Sequence, residues 1–365
     1  DVILALMSPV NSILARSQAF CERFGLELPI LLAPMAGVSP PALSIAVANA
    51  GGLGACGALL MQPAAILQWA TDVRAGTAGP FQFNLWIPDP PPVRDETHEA
   101  RVREFLAQWG PAVAPEAGTP SLPDFAAQCD ALLAAAPRAV SSVMGLYPPD
   151  FVKRLKARGI AWIANVSTLA EARAAEEAGA DVIAVQGMEA GGHRGCFDAA
   201  AAERTMVGLF ALLPAVVDAV RVPVVATGGI ADARGVAAAL LLGASAAQIG
   251  TGFLRSPEAG IDSAWADAIG RTPPEGTMIT RAFSGRAGRS IATNYTRAAA
   301  APDAPRPAPY PVQRGLTGPM RTAANREHDV ERMQAWAGQS AALSRAVPAG
   351  QLTRELWQGA QELLG

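Results

Sequence analysis

His193 is one of three histidines in this 365-residue chain, with His98 and His328, and it stands in the stretch DVIAVQGMEAGGHRG (181–195). An apolar run ends there in a loop where Gly191 and Gly192 precede the imidazole and Arg194 follows it. Glycine lets a backbone approach a ligand closely or take a positive φ. A histidine beside such a loop can work as a base, as a metal ligand, or only as a cap on a backbone group. His98, in a proline-flanked insertion, and His328, in a polar stretch of the tail, are expected to pack or lie on the surface. Arg194 has two readings, steering of an anion and an outward salt bridge, of which the salt bridge is the ordinary one. Cys196 has no base partner in view and reads as incidental.

A second kind of chemistry is written in VVATGGIADARG and AAQIGTGFL. Gly228 and Gly229 lead through Asp232 into a helical stretch, and Gly250, Thr251 and Gly252 follow another apolar run. Glycine loops expose backbone N–H groups, and a helix start adds a partial positive charge, so the two loops can hold a phosphate without a lysine. Tight strand-to-helix turns would need the same glycines. Neither loop has the GxGxxG spacing of a dinucleotide site. The remaining polar exceptions also fall at the ends of apolar runs: Met35, Asn84, Gln186, Thr227, Gln248 and Thr251.

What must position these residues is a repeated unit: a short apolar run, a glycine-bearing turn, then an alanine- and leucine-rich helical stretch. Eight such runs can be read: PILLAPM, GLGACGA, FQFNLWI, AVSSVMG, IAWIANVS, DVIAVQG, VPVVATGGI and SAAQIGTGFL. Each is continuously apolar, which fits strands covered on both faces in a parallel sheet. Eight units over residues 29–256 predict an α/β fold, a (β/α)8 TIM barrel, with a doubly wound open sheet as the alternative. In a barrel, the polar exceptions would converge on the face where the strands end.

Prolines interrupt the rhythm at 88–125, which reads as an insertion after the third strand. Residues 1–28 read as an N-terminal extension and 257–365 as a C-terminal, partly helical appendage packing on the barrel and covering its open end. Within the appendage, GTMITRAFSGRAGRSIATNYTR predicts two short strands, and REHDVERMQAWAGQSAALS and QLTRELWQGAQELL predict two helices. Both of those segments carry a tryptophan on an apolar stripe, a pattern that ordinarily means packing.

The bulk properties narrow the field. Half of the residues are hydrophobic, and the formal charge is −3 with no basic stripe, so a nucleic-acid partner has no support. Cys21, Cys56, Cys129 and Cys196 stand far apart, without metal-ligand spacing, and read as small buried hydrophobes. No apolar stretch is long enough for a membrane span. DVILALMSPV lacks the basic flank of a signal peptide, and Met7 is a possible start. A soluble, cytoplasmic protein is expected, either monomer or homodimer.

Beyond these readings, LPILLAPMAGVSPPALSIAVANAGGLG, QGMEAGGHRG, VVATGGIADARG and QIGTGFL resemble the nitronate monooxygenases, formerly called 2-nitropropane dioxygenases. WAGQSAAL in the tail is similar too. The resemblance implies an FMN-containing (β/α)8 barrel that oxidises alkyl nitronates with O2 to a carbonyl compound and nitrite through a flavin semiquinone. Whether neutral nitroalkanes are also accepted stays open. The resemblance places the isoalloxazine near Met35, Asn84, Gln186 and Gly191, and the phosphate on Gly229, Gln248, Gly250 and Thr251. It makes His193 the catalytic base, for which an ordinary imidazole value near 6.5 would suit, and it requires no metal. Flavin-type enoyl-acyl-carrier-protein reductases and quinone reductases share the loop or the barrel but consume NAD(P)H. A barrel that binds a phosphate ligand without catalysis is the remaining alternative.

Overall fold

The computed structural model describes residues 9–365; the sequence reading of DVILALM lies outside the described residues. Eight parallel strands form one sheet: β1 (Ile30–Leu32), β2 (Gly54–Gly57), β3 (Phe81–Trp86), β4 (Ala139–Val143), β5 (Ala161–Val166), β6 (Val182–Gln186), β8 (Val224–Thr227) and β9 (Ala246–Ile249). Their order is β1-β9-β8-β6-β5-β4-β3-β2. The ends of that order meet, since Leu53 N–H donates to Ile30 O at 3.0 Å and Leu32 N–H to Leu53 O at 2.9 Å. The sheet is therefore a closed TIM barrel, not a doubly wound sheet, and all eight apolar runs are its strands.

The barrel's lower interior is filled by Leu31, Leu53, Ala139, Ile163, Val182, Ala184, Val225 and Ala246. Helix Pro9–Phe24 seals that end, with Phe20, Cys21 and Phe24 packed on the same cluster. The larger core lies between the strands and the helices that surround them. The last helix, Ala349–Leu364, packs on Ala233–Leu241, on Pro41–Asn49 and on β1. It thus fills the place in the outer ring between the first and last barrel helices.

A second sheet stands over the strand ends. It joins β7 (Gly192–His193) to β10 (Thr277–Thr280) and β11 (Gly288–Ile291) in the antiparallel order β10-β11-β7. β10 and β11 are the two short tail strands expected from the sequence. The helix expected over REHDVERMQAWAGQSAALS does not form. Helix Gly318–Arg326 ends where that segment starts, and the rest is irregular apart from the short turn Ala341–Leu343. Its backbone bonds outward instead: Ile291 N–H donates to Ala335 O at 2.9 Å, and Gln339 N–H to Glu189 O at 2.9 Å. Tertiary pairing with the barrel loops outweighs the helical apolar pattern here.

Candidate active site

The eight strand ends, the β6 loop and the tail enclose a cavity of about 460 Å3. Met35, Asn84, Gln186, Gly191, His193, Thr227, Gly229, Gln248, Gly250 and Thr251 all line it. Residues spread over more than two hundred positions meet because every strand ends on the same face. Small side chains on the cavity floor, Ser141 and Ala184, leave the room.

His193 is positioned from two sides. From the barrel, Gln186 clamps the loop: its Nε2 donates to His193 O at 3.1 Å, and its Oε1 accepts from Gly195 N–H at 2.8 Å. From the tail, β7 pairs with β11, placing His193 opposite Gly288, and Arg194 N–H donates to Ala287 O at 2.8 Å. The imidazole stands edge-on between two indoles, with ring centroids 4.7 Å from Trp86 and 4.8 Å from Trp336. Its Nε2 lies 2.7 Å from Ser284 Oγ.

This setting changes the chemistry expected of the ring. Burial, together with the positive charges of Arg286 and Arg314, pushes the His193 pKa down from 6.5 to about 3. The imidazole is therefore neutral across the physiological range, not poised near its midpoint as the ordinary value implied. A neutral ring can accept or donate a hydrogen bond, but it supplies no positive charge.

One other sequence expectation changes. Arg194 makes no outward salt bridge; it is buried and donates to Gln186 O at 2.7 Å and Ser167 O at 3.0 Å, holding the loop from behind. Gly191 must also be small to admit the tail: an added Cβ would lie 2.5 Å from Gly338 N and 2.6 Å from Ala337 C. The tail crosses the loop at that point. Cys196 is buried and its thiol is pushed up by burial, which suits a packing role. His98 and His328 do not line the cavity; they contact Arg306 O and Asp262, respectively.

The glycine loops form a cradle of donors. Gly228 and Gly229 adopt φ of +103° and +71°, which turns the chain away from the strand direction. Among the described residues, no protein acceptor meets the N–H groups of Gly229, Gly250 and Thr251. The helix start behind them is capped by Asp232, whose side chain accepts from Gly235 N–H at 3.1 Å, so the free donors are those of the loops themselves. Thr251 Oγ1 is already committed, accepting from Gly338 N–H at 3.0 Å.

Several wall residues lie outside the sequence expectations. Asn165 lines the cavity, and its Nδ2 is buried without a hydrogen-bond partner. Its signal was available, as a polar residue inside the apolar run IAWIANVS. Trp86, Arg314, Arg321, Gln334, Trp336, Gly338 and Ser340 also line the cavity. Trp336 is thus a site residue as well as a packing one. The likeness of WAGQSAAL, and the expected cover over the open end, pointed to this part of the tail without marking these residues. Among the described residues, no group of three or more His, Cys, Asp or Glu is arranged to hold a metal ion, and no helix is long and apolar enough to cross a membrane.

The whole of this architecture has counterparts. A family model described as nitronate monooxygenase matches residues 17–359. A nitronate monooxygenase of Paraburkholderia phytofirmans is 39% identical over 357 residues, covering 95% of this chain and 97% of that protein. The structure of a nitroalkane oxidase from Streptomyces ansochromogenes superposes with a TM-score of 0.85 at 35% identity, covering 94% of this chain and 98% of that one. FabK from Thermotoga maritima is more distant, with a TM-score of 0.73 at 27% identity over 94% of this chain and 96% of its own.

Proposed function

This chain belongs to the nitronate monooxygenase family, and from that premise we propose that it oxidises alkyl nitronates with O2, on bound FMN, to a carbonyl compound and nitrite. The observation that carries this reading is one cavity holding both a cradle of free backbone donors and a neutral histidine, with no Asp or Glu in its wall. Its volume falls within the roughly 300–1,000 Å3 of small-molecule and cofactor sites.

The residues present fit a flavin mononucleotide. The N–H groups of Gly229, Gly250 and Thr251 would hold the phosphate, as oriented amides hold anions elsewhere. Gln248, whose Oε1 accepts from Gln82 Nε2 at 3.2 Å, would support that end from inside the barrel. Met35, Asn84 and the unpaired Asn165 Nδ2 would face the ring system. Gln186 and Gly191 would act through the loop that they shape. Bound FMN supplies the electron-accepting and oxygen-reactive chemistry that side chains lack.

His193 and its two indoles would then close the substrate space. A ring whose conjugate acid forms only near pH 3 is a poor acceptor for the proton of a neutral nitroalkane. A preformed nitronate has already lost that proton. The site therefore suits nitronates better than nitroalkanes, with His193 orienting the substrate and serving as base where a neutral one is admitted. Trp86 and Trp336, which flank His193, would limit the access of water to this space.

The test is aerobic turnover of ethyl and propyl nitronates by the purified protein, with and without NADH. Nitrite release that does not depend on NADH supports the reading. Rapid NADH oxidation with an enoyl thioester or a quinone, and none with nitronates, replaces it with the reductase alternative. A colourless protein from which no FMN can be extracted replaces it with a phosphate-binding barrel.

A further inference from the structure

Positive charge surrounds His193, yet most of it is already partnered. The Arg286 guanidinium is buried outside the cavity wall, 3.2 Å from the Asp89 carboxylate that balances its charge, although neither of its Nη atoms makes an aligned hydrogen bond. Arg289 donates to Met188 O at 3.0 Å and to Thr277 Oγ1 at 3.0 Å. Arg321 lines the cavity, but its three nitrogens donate to Thr317 Oγ1 at 3.2 Å, Gln334 Oε1 at 3.2 Å and Arg314 O at 2.9 Å. Arg321 is thus a brace for the turn that carries Arg314.

Arg314 is different. It lies in helix Val312–Leu316 and lines the cavity. Among the described residues, neither a carboxylate nor another acceptor meets its guanidinium. Its charge reaches His193, which it helps to keep neutral. A half-buried cation facing an acid-free cavity is costly to desolvate unless an anion joins it. The phosphate cradle is formed by the loops after β8 and β9, whereas Arg314 comes from the tail on the His193 side of the cavity.

We propose that Arg314 binds the negatively charged nitro group of the substrate and thereby selects nitronates over neutral nitroalkanes. This rests on reading the cavity as a nitronate site. It assigns the counter-charge that neutral His193 cannot provide. A guanidinium offers two parallel N–H groups to two oxygens, and a nitronate presents two oxygens in one plane. Arg321, by fixing Arg314 O, is the corresponding positioning residue.

The probe is nitrate, a planar monoanion that is not turned over, titrated into flavin-loaded protein and followed by tryptophan fluorescence, since Trp86 and Trp336 flank the site. Arg314→Met should weaken nitrate binding about 10- to 100-fold, the usual weight of a hydrogen bond to a charged group. KM for propyl nitronate should rise by a similar factor with kcat little changed, and KM for neutral 1-nitropropane should stay as it was. Arg314→Lys should recover part of the loss. Unchanged nitrate affinity, or an equal rise of KM for both substrate forms, would overturn the assignment. If the Met variant does not fold, Arg314→Gln, which is shorter and uncharged but keeps a polar end, gives the same readouts. Turnover of nitronates by the wild type with indifferent Arg314 variants removes this inference alone. Arg314-dependent nitrate binding without nitronate turnover keeps the anion site and removes the proposed function.

Discussion

Gly229→Asp should give folded protein depleted of FMN. The residue has φ of +71°, and a Cβ placed there would lie 3.2 Å from Glu189 Cβ and 3.5 Å from its Cγ. For an ordinary side chain the left-handed conformation costs about 1–2 kcal/mol, but aspartate visits it more readily, so the fold should survive. Charge repulsion outweighs that strain. A carboxylate about 5 Å from the phosphate, at an effective dielectric constant of about 20, opposes each unit of phosphate charge by about 3 kcal/mol. That alone weakens FMN binding by at least about 100-fold. Gly229→Ala carries the backbone strain without the charge and should keep its flavin, with a melting temperature lower by about 1–3 °C. The assay is the ratio of flavin to protein absorbance after purification, alongside a thermal melt. Full flavin occupancy in Gly229→Asp would refute the placement of the phosphate. Equal flavin loss in the Ala variant would mean that loop geometry, not charge, sets affinity.

Three further outcomes follow from the same contacts. His193→Asn keeps a polar side chain without a basic nitrogen, so it should bind FMN and retain much of its activity on propyl nitronate, while any activity on neutral nitroalkane falls by about 10²–10⁴-fold; equal losses on both substrates would leave His193 only an orienting role. Because the folded-state pKa of His193 is about 3 against 6.5 unfolded, the unfolded chain takes up this proton first. Its contribution to stability is therefore present above pH 6.5 and is lost as pH falls toward 3, and denaturant titrations should show a smaller acid loss in His193→Asn than in the wild type. Gly191→Ala sets a methyl against Gly338 N and Ala337 C, and should cost about 1–3 kcal/mol by thermal or urea melt as the tail is pushed from the loop.

The barrel was legible because its strands are covered on both faces, which makes them largely apolar runs whose polar residues gather mostly toward one end. Met35, Asn84, Gln186, Thr227 and Gln248 stood out for that reason, and all line one cavity. Asn165 carries the same signal less plainly, because an apolar Val166 follows it before its run ends. The tail was less legible because its conformation is set by what it touches. Val330, Met333 and Ala337 suggest a helical stripe, yet Ala335, Trp336 and Gln339 hydrogen-bond or bridge to neighbouring strands and loops. The same dependence hid the state of His193. Arg286 and Arg314, which help to hold it neutral, lie about a hundred residues further along the chain, beyond any local pattern. Gly191 shows the converse case: its likeness marked the residue in the sequence, and the structure adds the close approach of the tail as a reason for its size.

The central claim is that a nitronate, with no nicotinamide, is itself the reductant for the flavin held in this cavity. Mixing the purified, flavin-loaded protein anaerobically with excess propyl nitronate, and following the visible flavin absorbance, tests it directly. Rapid loss of that absorbance, restored when air is admitted and accompanied by nitrite, is the predicted result. An unchanged spectrum with nitronate, together with prompt bleaching by NADH, would contradict it.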